Sequence, residues 1–181
     1  AASKRIRIPD DDQSAEELIL LINELEGAGF EQYEVSNFCR PHFMSRHNSS
    51  YWKGEKYLGA GPSAHSFDGA SRQFNVSNNH LYMQSIRSGR LPATIEILSR
   101  EDKINDWLLT GLRTAWGANL RNLIRDYHFD VMEIHRTYVR QLIAGKLAVV
   151  NDQSLILTKS GRLLADKIAA DLFATPYSSK R

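Results

Sequence analysis

The segment from residue 31 to residue 68 most constrains the fold, because it holds few of the aliphatic residues that build protein cores. It combines a strand-like run, a loop with two histidines and a turn spelled GAGPSAH. Its His, Asn, Tyr and Trp side chains carry polar groups that need hydrogen-bond partners when they are buried. Its glycines permit backbone conformations that other residues avoid. Packing of a core does not by itself explain this composition. We therefore predict that this segment is the wall of a site and that the rest of the chain supports it.

The composition indicates a soluble globular protein of one large or two small domains: 181 residues, 42% hydrophobic and 24% charged. The net charge of +2 is too close to balance to favour nucleic acid or an anionic membrane as a partner. No run reaches the roughly 18 to 20 apolar residues of a membrane span, and no secretory signal is recognised. The single cysteine, Cys39, excludes an intrachain disulfide and favours a cytoplasmic location.

The first predicted helix begins at Ser14, where SAEE is a capping-box pattern with Glu17 at the third position. Four apolar residues then share one face: Leu18, Leu21, Ile22 and Leu25. Gly27 is predicted to end the helix, and a strand around residues 33–35 follows. Helix, glycine turn and strand form part of a βα unit, whose partner strands are expected outside this chain.

The middle of the chain is predicted to be irregular. Residues 38–51 are predicted as loop and residues 56–60 as a strand. Residues 67–76 form a hairpin around a turn, and residues 78–88 form a helix that ends before a glycine.

The next helix is predicted to begin at Ser99, with Asp102 at its third position, and to stop at Gly117. Six residues share its apolar face: Ile104, Trp107, Leu108, Gly111, Leu112 and Ala115. This stripe predicts that Trp107 is a core residue rather than a ligand contact.

From about residue 120 to residue 173 the order helix, helix, hairpin, helix is typical of a winged-helix-like module. The predicted elements are a helix over 120–124, a helix capped by Asp130 and ended by Gly145, strands over 147–150 and 155–157, and a helix capped by Thr158. The tail after Pro176 is predicted to be frayed.

A nucleic-acid site on this module is the alternative that its basic residues raise. Arg136 and Arg140 lie one turn apart and Lys146 lies near the hairpin, as in winged-helix proteins that contact phosphates. Asp130 and Glu133 share the same helix, and the NDQS turn carries no cation. A solvated helix face explains the pattern with fewer assumptions, so nucleic acid is not expected as a partner.

Four short motifs carry a resemblance to a known family: YEVSNF, HNSSYW, YLGAGPSAHS and a helical GLR. Together and in this order they resemble the carboxy-terminal half of the HemN/HemW group of radical S-adenosylmethionine (SAM) proteins, which are oxygen-independent coproporphyrinogen III oxidase-like. The HNxxYW pattern is complete, with His47, Asn48, Tyr51 and Trp52, and resembles the HemW branch of haem chaperones.

The resemblance implies an α/β (α+β) fold. Residues 1–70 would be the terminal βα part of a partial (β/α) barrel together with its site-lining loops. Residues 71–181 would be a mainly helical carboxy-terminal domain, winged-helix-like from about residue 120. In intact relatives the implied cofactors are a [4Fe–4S] cluster and SAM, with haem as the bound molecule. The cluster motif CxxxCxxC is absent from this sequence, so this chain holds no cluster ligands. It is therefore not expected to perform radical chemistry alone. No cofactor is assigned to it.

The candidate cofactor-binding residues of the HNSSYW motif have two interpretations. As a haem site, His47 would be the axial iron ligand, and Tyr51 and Trp52 would offer flat apolar surface to a porphyrin. Alternatively, His47 and Asn48 hydrogen-bond loop carbonyls and hold the chain in place. A further loop histidine, His42, is a competing ligand that nothing in the spacing favours.

The GAGPSAH turn is a second candidate region. Gly59 and Gly61 permit a close approach of the backbone to a flat ligand, with Ser63 and His65 beside them. By resemblance His65 lies near bound SAM and substrate. The alternative is a histidine that ties a turn to its own backbone.

Glu34, Ser36 and Asn37 are pocket candidates because barrel enzymes place functional side chains at strand ends. Side chains alternate along a strand, so Tyr33, Val35 and Asn37 would point one way. Glu34, Ser36 and Phe38 would point the other way. Cys39 is predicted to have no role in the site.

The function implied by the resemblance is haem binding and delivery to haem-requiring proteins. The first alternative is an enzyme that converts coproporphyrinogen III to protoporphyrinogen IX. The second is a winged-helix nucleic-acid or protein interaction module. Haem or a porphyrinogen and haem-acceptor proteins are therefore the expected partners.

Overall fold

A computed structural model describes residues 10–175 of the chain. Predictions made for residues 1–9 and for the tail after Pro176 lie outside this range. The described chain forms two compact units, of which the first ends at Ser45 and the second begins at Arg46. The functional division proposed at residue 70 stays a prediction.

The first unit contains helix α1 (Asp11–Gly27) and two short strands, β1 (Glu31–Glu34) and β2 (Asn37–Cys39). The cap of α1 is Asp10, whose carboxylate accepts the backbone N–H of Gln13 at 2.9 Å. The predicted capping box is wrong, because Ser14 lies inside the helix and its hydroxyl donates to the Asp10 carbonyl at 2.8 Å.

Strands β1 and β2 form an antiparallel hairpin, and all strand pairings among the described residues are antiparallel. The chain turns at residues 35 and 36. The predicted alternation through Asn37 is wrong, because the turn brings the Asn37 amide back to the Glu34 carboxylate, to which it donates at 2.5 Å.

The second unit begins with helix α2 (Arg46–Trp52), followed by strands β3 (His65–Phe67) and β4 (Ser71–Asn75), helix α3 (Asn79–Arg87) and strand β5 (Ala93–Ile97). The HNSSYW motif is therefore helical and the predicted loop is wrong there. The strand predicted over residues 56–60 is reduced to one bridge between Tyr57 and Phe67. The β3–β4 hairpin and the helix predicted over residues 78–88 are confirmed, and Asn78 is the N-cap of that helix.

The helical part of this unit starts with α4 (Arg100–Leu112), and the predicted Ser99–Asp102 capping box is confirmed. The helix ends five residues before Gly117, the predicted stop. The remaining elements are β6 (Ala118–Asn119), α5 (Leu120–Tyr127), α6 (Val131–Ile134), α7 (Arg136–Ala144), β7 (Ala148–Asn151), β8 (Ser154–Leu157), α8 (Lys159–Arg162) and α9 (Ala165–Asp171).

Strands β6, β8 and β7 form a three-stranded sheet in that order, with the predicted hairpin between β7 and β8. Asp152 and Gln153 hold the two left-handed turn positions, with φ of 45° and 68°. The single helix predicted after Asp130 is two helices that join at His135, and the helix capped by Thr158 is likewise divided.

The core of the second unit lies between α4, α5, α9 and the β6–β8–β7 sheet. Its largest side chains are aliphatic and at most 2% exposed: Ile104, Leu108, Leu112, Leu123, Leu155, Leu157, Ile168 and Leu172. Helix α4 passes so close to β6 that a Cβ on Gly111 would lie only 2.7 Å from the Ala118 Cα. The predicted mixed helix-and-sheet fold class is confirmed. None of the described helices is long and apolar enough to cross a membrane.

Candidate functional site

Helix α2 presents the aromatic residues of HNSSYW as the start of a row of rings. His47 and Tyr51 are one turn apart on the helix, and their ring centroids lie 5.0 Å apart in an edge-on arrangement. The Tyr51 ring then meets Tyr57 at 4.6 Å, and Tyr57 meets Phe67 at 6.2 Å. Helix α2 and strand β3 are therefore connected through four consecutive rings.

The row borders a cavity of about 360 Å³, bounded by the end of α2, the β3–β4 hairpin, one side of α4 and the end of α5. Six aromatic residues line it: Tyr51, Trp52, Tyr57, Phe67, Trp107 and Tyr127. Its size is within the range of small-molecule sites, and such sites are usually apolar with a few polar groups. We call it the aromatic cavity.

Four charged residues also line the aromatic cavity: Lys53, Arg72, Lys103 and Asp106. Arg72 and Asp106 form an ion pair between β4 and α4. The Lys53 ammonium lies 6.0 Å from the centroid of the Trp116 ring, in a cation–π contact. The cavity wall therefore has more positive than negative charge.

Two tyrosines in this wall are held in the neutral form. Burial raises the pKa of Tyr57, and nearby Tyr51 and Asp106 raise it further while Arg72 opposes them. Burial also raises the pKa of Tyr127, with Asp126 and Asp106 acting in the same direction. Both phenols therefore remain hydrogen-bond donors at neutral pH.

Trp107 is the clearest correction to the sequence analysis. It was predicted to be a core residue, but it is half-buried, lines the aromatic cavity, and donates its indole N–H to the Asn119 carbonyl at 3.2 Å. Helix α4 buries Ile104 and Leu108 completely, while Trp107 lies between that core and the cavity. An apolar stripe on a helix does not show whether a residue on it faces the packed core or the wall of a cavity.

Tyr51 and Trp52 both line this cavity, and their contact with a porphyrin stays a prediction. His47 is exposed and does not line the cavity, but its ring makes an edge-on contact with the Tyr51 ring. Asn48 is half-buried on the same helix. The role of His47 as an iron ligand stays a prediction.

The predicted GAGPSAH residues lie outside the cavity wall. A Cβ on Gly59 would lie 2.1 Å from the His65 carbonyl oxygen, so this glycine is required by the close approach of two chain segments. The Gly61 N–H donates to the Tyr82 hydroxyl at 3.2 Å, and the buried Asn75 amide donates to the Gly61 carbonyl at 2.9 Å. These bonds account for the turn without a ligand.

The other two candidates in that turn are exposed. Ser63 has a positive φ of 60° and donates its N–H to the Val76 carbonyl at 3.1 Å. His65 stands opposite Phe74 across β3 and β4, with ring centroids 5.9 Å apart. Contact of either residue with SAM or substrate stays a prediction.

Glu34, Ser36 and Asn37 belong to the hairpin of the first unit. The Glu34 carboxylate is 1% exposed and accepts the Ser36 N–H at 2.9 Å as well as the Asn37 amide. This arrangement stabilises the turn, and a ligand role for the three residues stays a prediction. The Cys39 thiol is buried, and burial together with the nearby Glu31 carboxylate raises its pKa.

Of the residues that line the cavity, the sequence analysis named only Tyr51 and Trp52 as site residues. The aromatic and charged residues that it missed are Lys53, Tyr57, Phe67, Arg72, Lys103, Asp106, Trp107 and Tyr127. They come from four separated segments, and only the aromatic residues near HNSSYW give a local signal. Across residues 10–175 there is no group of three or more His, Cys, Asp or Glu side chains arranged for a metal ion. The described residues therefore do not fit a [4Fe–4S] cluster.

Comparisons with known proteins agree with this architecture. No family model matches the chain. The heme chaperone HemW of Mycobacterium tuberculosis is 34% identical over 178 residues, covering 95% of this chain and 44% of that protein. HemW of Bacillus subtilis is 28% identical over 166 residues, covering 91% and 44%. The structure of coproporphyrinogen III oxidase (HemN) from Escherichia coli, a radical SAM enzyme, matches 92% of this chain and 42% of its own, with a TM-score of 0.67 and 19% identity.

The chain is thus similar in sequence and fold to proteins of the HemN/HemW type, as the motifs predicted. Its sequence is HemW-like, because the proteins that it matches at 34% and 28% identity are both heme chaperones by name. It spans less than half the length of those relatives, in agreement with the predicted correspondence to a carboxy-terminal half.

Proposed function

We propose that the aromatic cavity and His47 bind haem or a closely related tetrapyrrole, and that a HemW-like protein containing this chain delivers haem to haem-requiring proteins in the cytoplasm. The observation that carries the proposal is the placement of HNSSYW. Tyr51 and Trp52 line one cavity with four further aromatic residues, and the exposed His47 ring makes an edge-on contact with the Tyr51 ring. The names of the relatives support the same ligand.

The chemistry of the wall suits a flat apolar ring. Aromatic side chains stack against planar ligands and bury large areas, and six of them line this cavity. The indole N–H of Trp52 is buried with no hydrogen-bond partner among the described residues, so it carries an uncompensated free-energy cost beside the cavity.

His47 supplies the ligand chemistry for iron. A neutral imidazole is a common axial donor to haem iron, and the exposed position of His47 leaves its ring accessible. The edge-on contact with Tyr51 orients that ring relative to the cavity. In this proposal haem is carried as cargo, and no step is assigned to a cluster or to SAM.

The proposal is tested by titrating ferric haem into the protein and following the Soret band. The variant is His47→Ala, with His80→Ala as the matched control because His80 is another exposed histidine within a helix and does not line the aromatic cavity. Loss of the iron ligand is expected to shift the band and weaken binding by about tenfold or more, which is 1.4 kcal/mol. The control is expected to behave as the wild type.

Identical spectra and affinities for His47→Ala and the wild type would refute iron ligation by this residue. Absence of any Soret change with the wild type would refute haem binding by the chain. Far-UV circular dichroism of each variant verifies that the fold is intact. Tight binding of a porphyrinogen with no binding of haem would instead favour the coproporphyrinogen oxidase alternative.

A further inference from the structure

The charge of the aromatic cavity is unbalanced. Among its charged wall residues, Arg72 and Asp106 neutralise each other in an ion pair. Lys53 and Lys103 remain, and neither has an ion-pair partner among residues 10–175. A net positive wall in a partly enclosed site disfavours a cationic ligand and favours an anionic one.

The two lysines belong to different walls. Lys103 is in the first turn of α4, one turn before Asp106 and Trp107, and all three line the cavity. Lys53 follows Trp52 at the end of α2. Lys103 lies one helical turn before Trp107, whereas the Lys53 ammonium lies 6.0 Å from the centroid of the Trp116 ring. A ligand that stacks on the indole rings of the wall therefore has a lysine on each of two sides of the cavity.

Lys103 is the better placed of the two lysines. It is half-buried, so its charge is less screened than that of a surface lysine. Lys53 is exposed and its ammonium already lies over Trp116. The neutral hydroxyls of Tyr57 and Tyr127 supply further donors to the same space.

We infer that Lys103, assisted by Lys53, forms a carboxylate subsite of the aromatic cavity, so that the site selects planar tetrapyrroles by their acidic side chains as well as by their ring. This inference rests on the proposed function for the ligand class. Asp106 has the opposite role in this subsite, because its carboxylate forms an ion pair with Arg72 and lowers the net positive charge of the wall. Acidic side chains of the ligand are then held by charge-assisted hydrogen bonds to the ammonium of Lys103.

The experiment uses metal-free mesoporphyrin IX, which removes iron ligation from the measurement, and its dimethyl ester, which lacks the two carboxylates. Binding is followed by quenching of tryptophan fluorescence, since Trp52 and Trp107 are in the wall. The variants are Lys103→Gln and Asp106→Asn. Lys146→Gln is the control, because it makes the same change of charge at an exposed residue outside the cavity.

Lys103→Gln is expected to weaken binding of the diacid by about tenfold, the size of one charge-assisted hydrogen bond, and to leave binding of the ester unchanged. Asp106→Asn is expected to strengthen binding of the diacid, because it removes the only negative charge among the charged residues of the wall. Opposite effects of the two variants separate an electrostatic role from a structural one, since mere disruption of the wall would weaken binding in both.

Equal affinities for diacid and ester, or an unchanged affinity in Lys103→Gln, would overturn the subsite even if haem binds through His47. Conversely, Lys103-dependent binding of mesoporphyrin IX without a Soret response to haem would refute the proposed haem site and leave the subsite standing. If the wild type binds neither porphyrin nor haem, both proposals fail.

Discussion

The part of the second unit from residue 46 to residue 98 differs from the part from residue 99 to residue 175 in what it buries. In the first part the buried residues are Ser49, Asn75 and Leu98, two of them polar. In the second part a continuous aliphatic core is almost inaccessible to solvent. The aromatic residues of the first part instead line an open cavity.

Helix α4 contributes residues both to the aliphatic core and to the wall of the aromatic cavity. One side carries Ile104, Leu108 and Leu112, each 0% exposed, and the other carries Lys103 and Trp107 of the cavity wall. Stability is thus concentrated in the aliphatic core, which allows the neighbouring wall to keep half-exposed rings and unbalanced charge. Binding sites commonly have lower stability for this reason.

The largest expected effect that tests this comparison is on the core. Leu108→Ala removes a fully buried side chain and should lower the free energy of unfolding by about 3 kcal/mol, since such cavities cost roughly 2–5 kcal/mol. Tyr51→Ala, in the cavity wall, should cost markedly less, because Tyr51 is 38% exposed. Urea unfolding followed by circular dichroism measures both. Equal losses would show that the wall, too, is part of the stabilising core.

An intermediate effect is expected at the junction of the two parts, where Ser99 caps α4. The Ser99 hydroxyl accepts the Asp102 N–H at 3.1 Å, and the Asp102 carboxylate accepts the Ser99 N–H at 2.9 Å. Ser99→Ala should therefore cost about 1 kcal/mol, the usual value of an N-cap. Ser160→Ala, at an exposed serine within α8, is the control. A loss no larger than that of the control would show that α4 is held by its core contacts alone.

The smallest expected effect is a pH dependence within the helical part. Burial lowers the pKa of His135, so the folded state binds a proton less readily than the unfolded state does. The stabilisation is complete above the unfolded value of about 6.5 and is lost as the pH falls towards the folded pKa. Unfolding measured between pH 8 and pH 5 should show a shallower decline for His135→Gln. A decline as steep as that of the wild type would show that other groups cause it.

Local patterns in the sequence were sufficient for many elements. The Ser99–Asp102 spacing and the NDQS turn were interpreted correctly, because both depend on residues three or fewer positions apart. The same reasoning failed at HNSSYW, which is helical although His, Asn and Ser are weak helix formers. Contacts between α2 and α4 accompany this helix, and such packing overrides propensity.

The sequence alone pointed to two of the six aromatic residues of the wall, Tyr51 and Trp52, because they are adjacent in one motif. Only the tertiary structure decided that Trp107, Lys103 and Arg72 share their cavity, since these residues come from α4 and β4 and no local spacing relates them. The physical reason is that a cavity is the space left between packed elements. Its lining depends on the approach of distant segments, whereas caps and turns depend on neighbours along the chain.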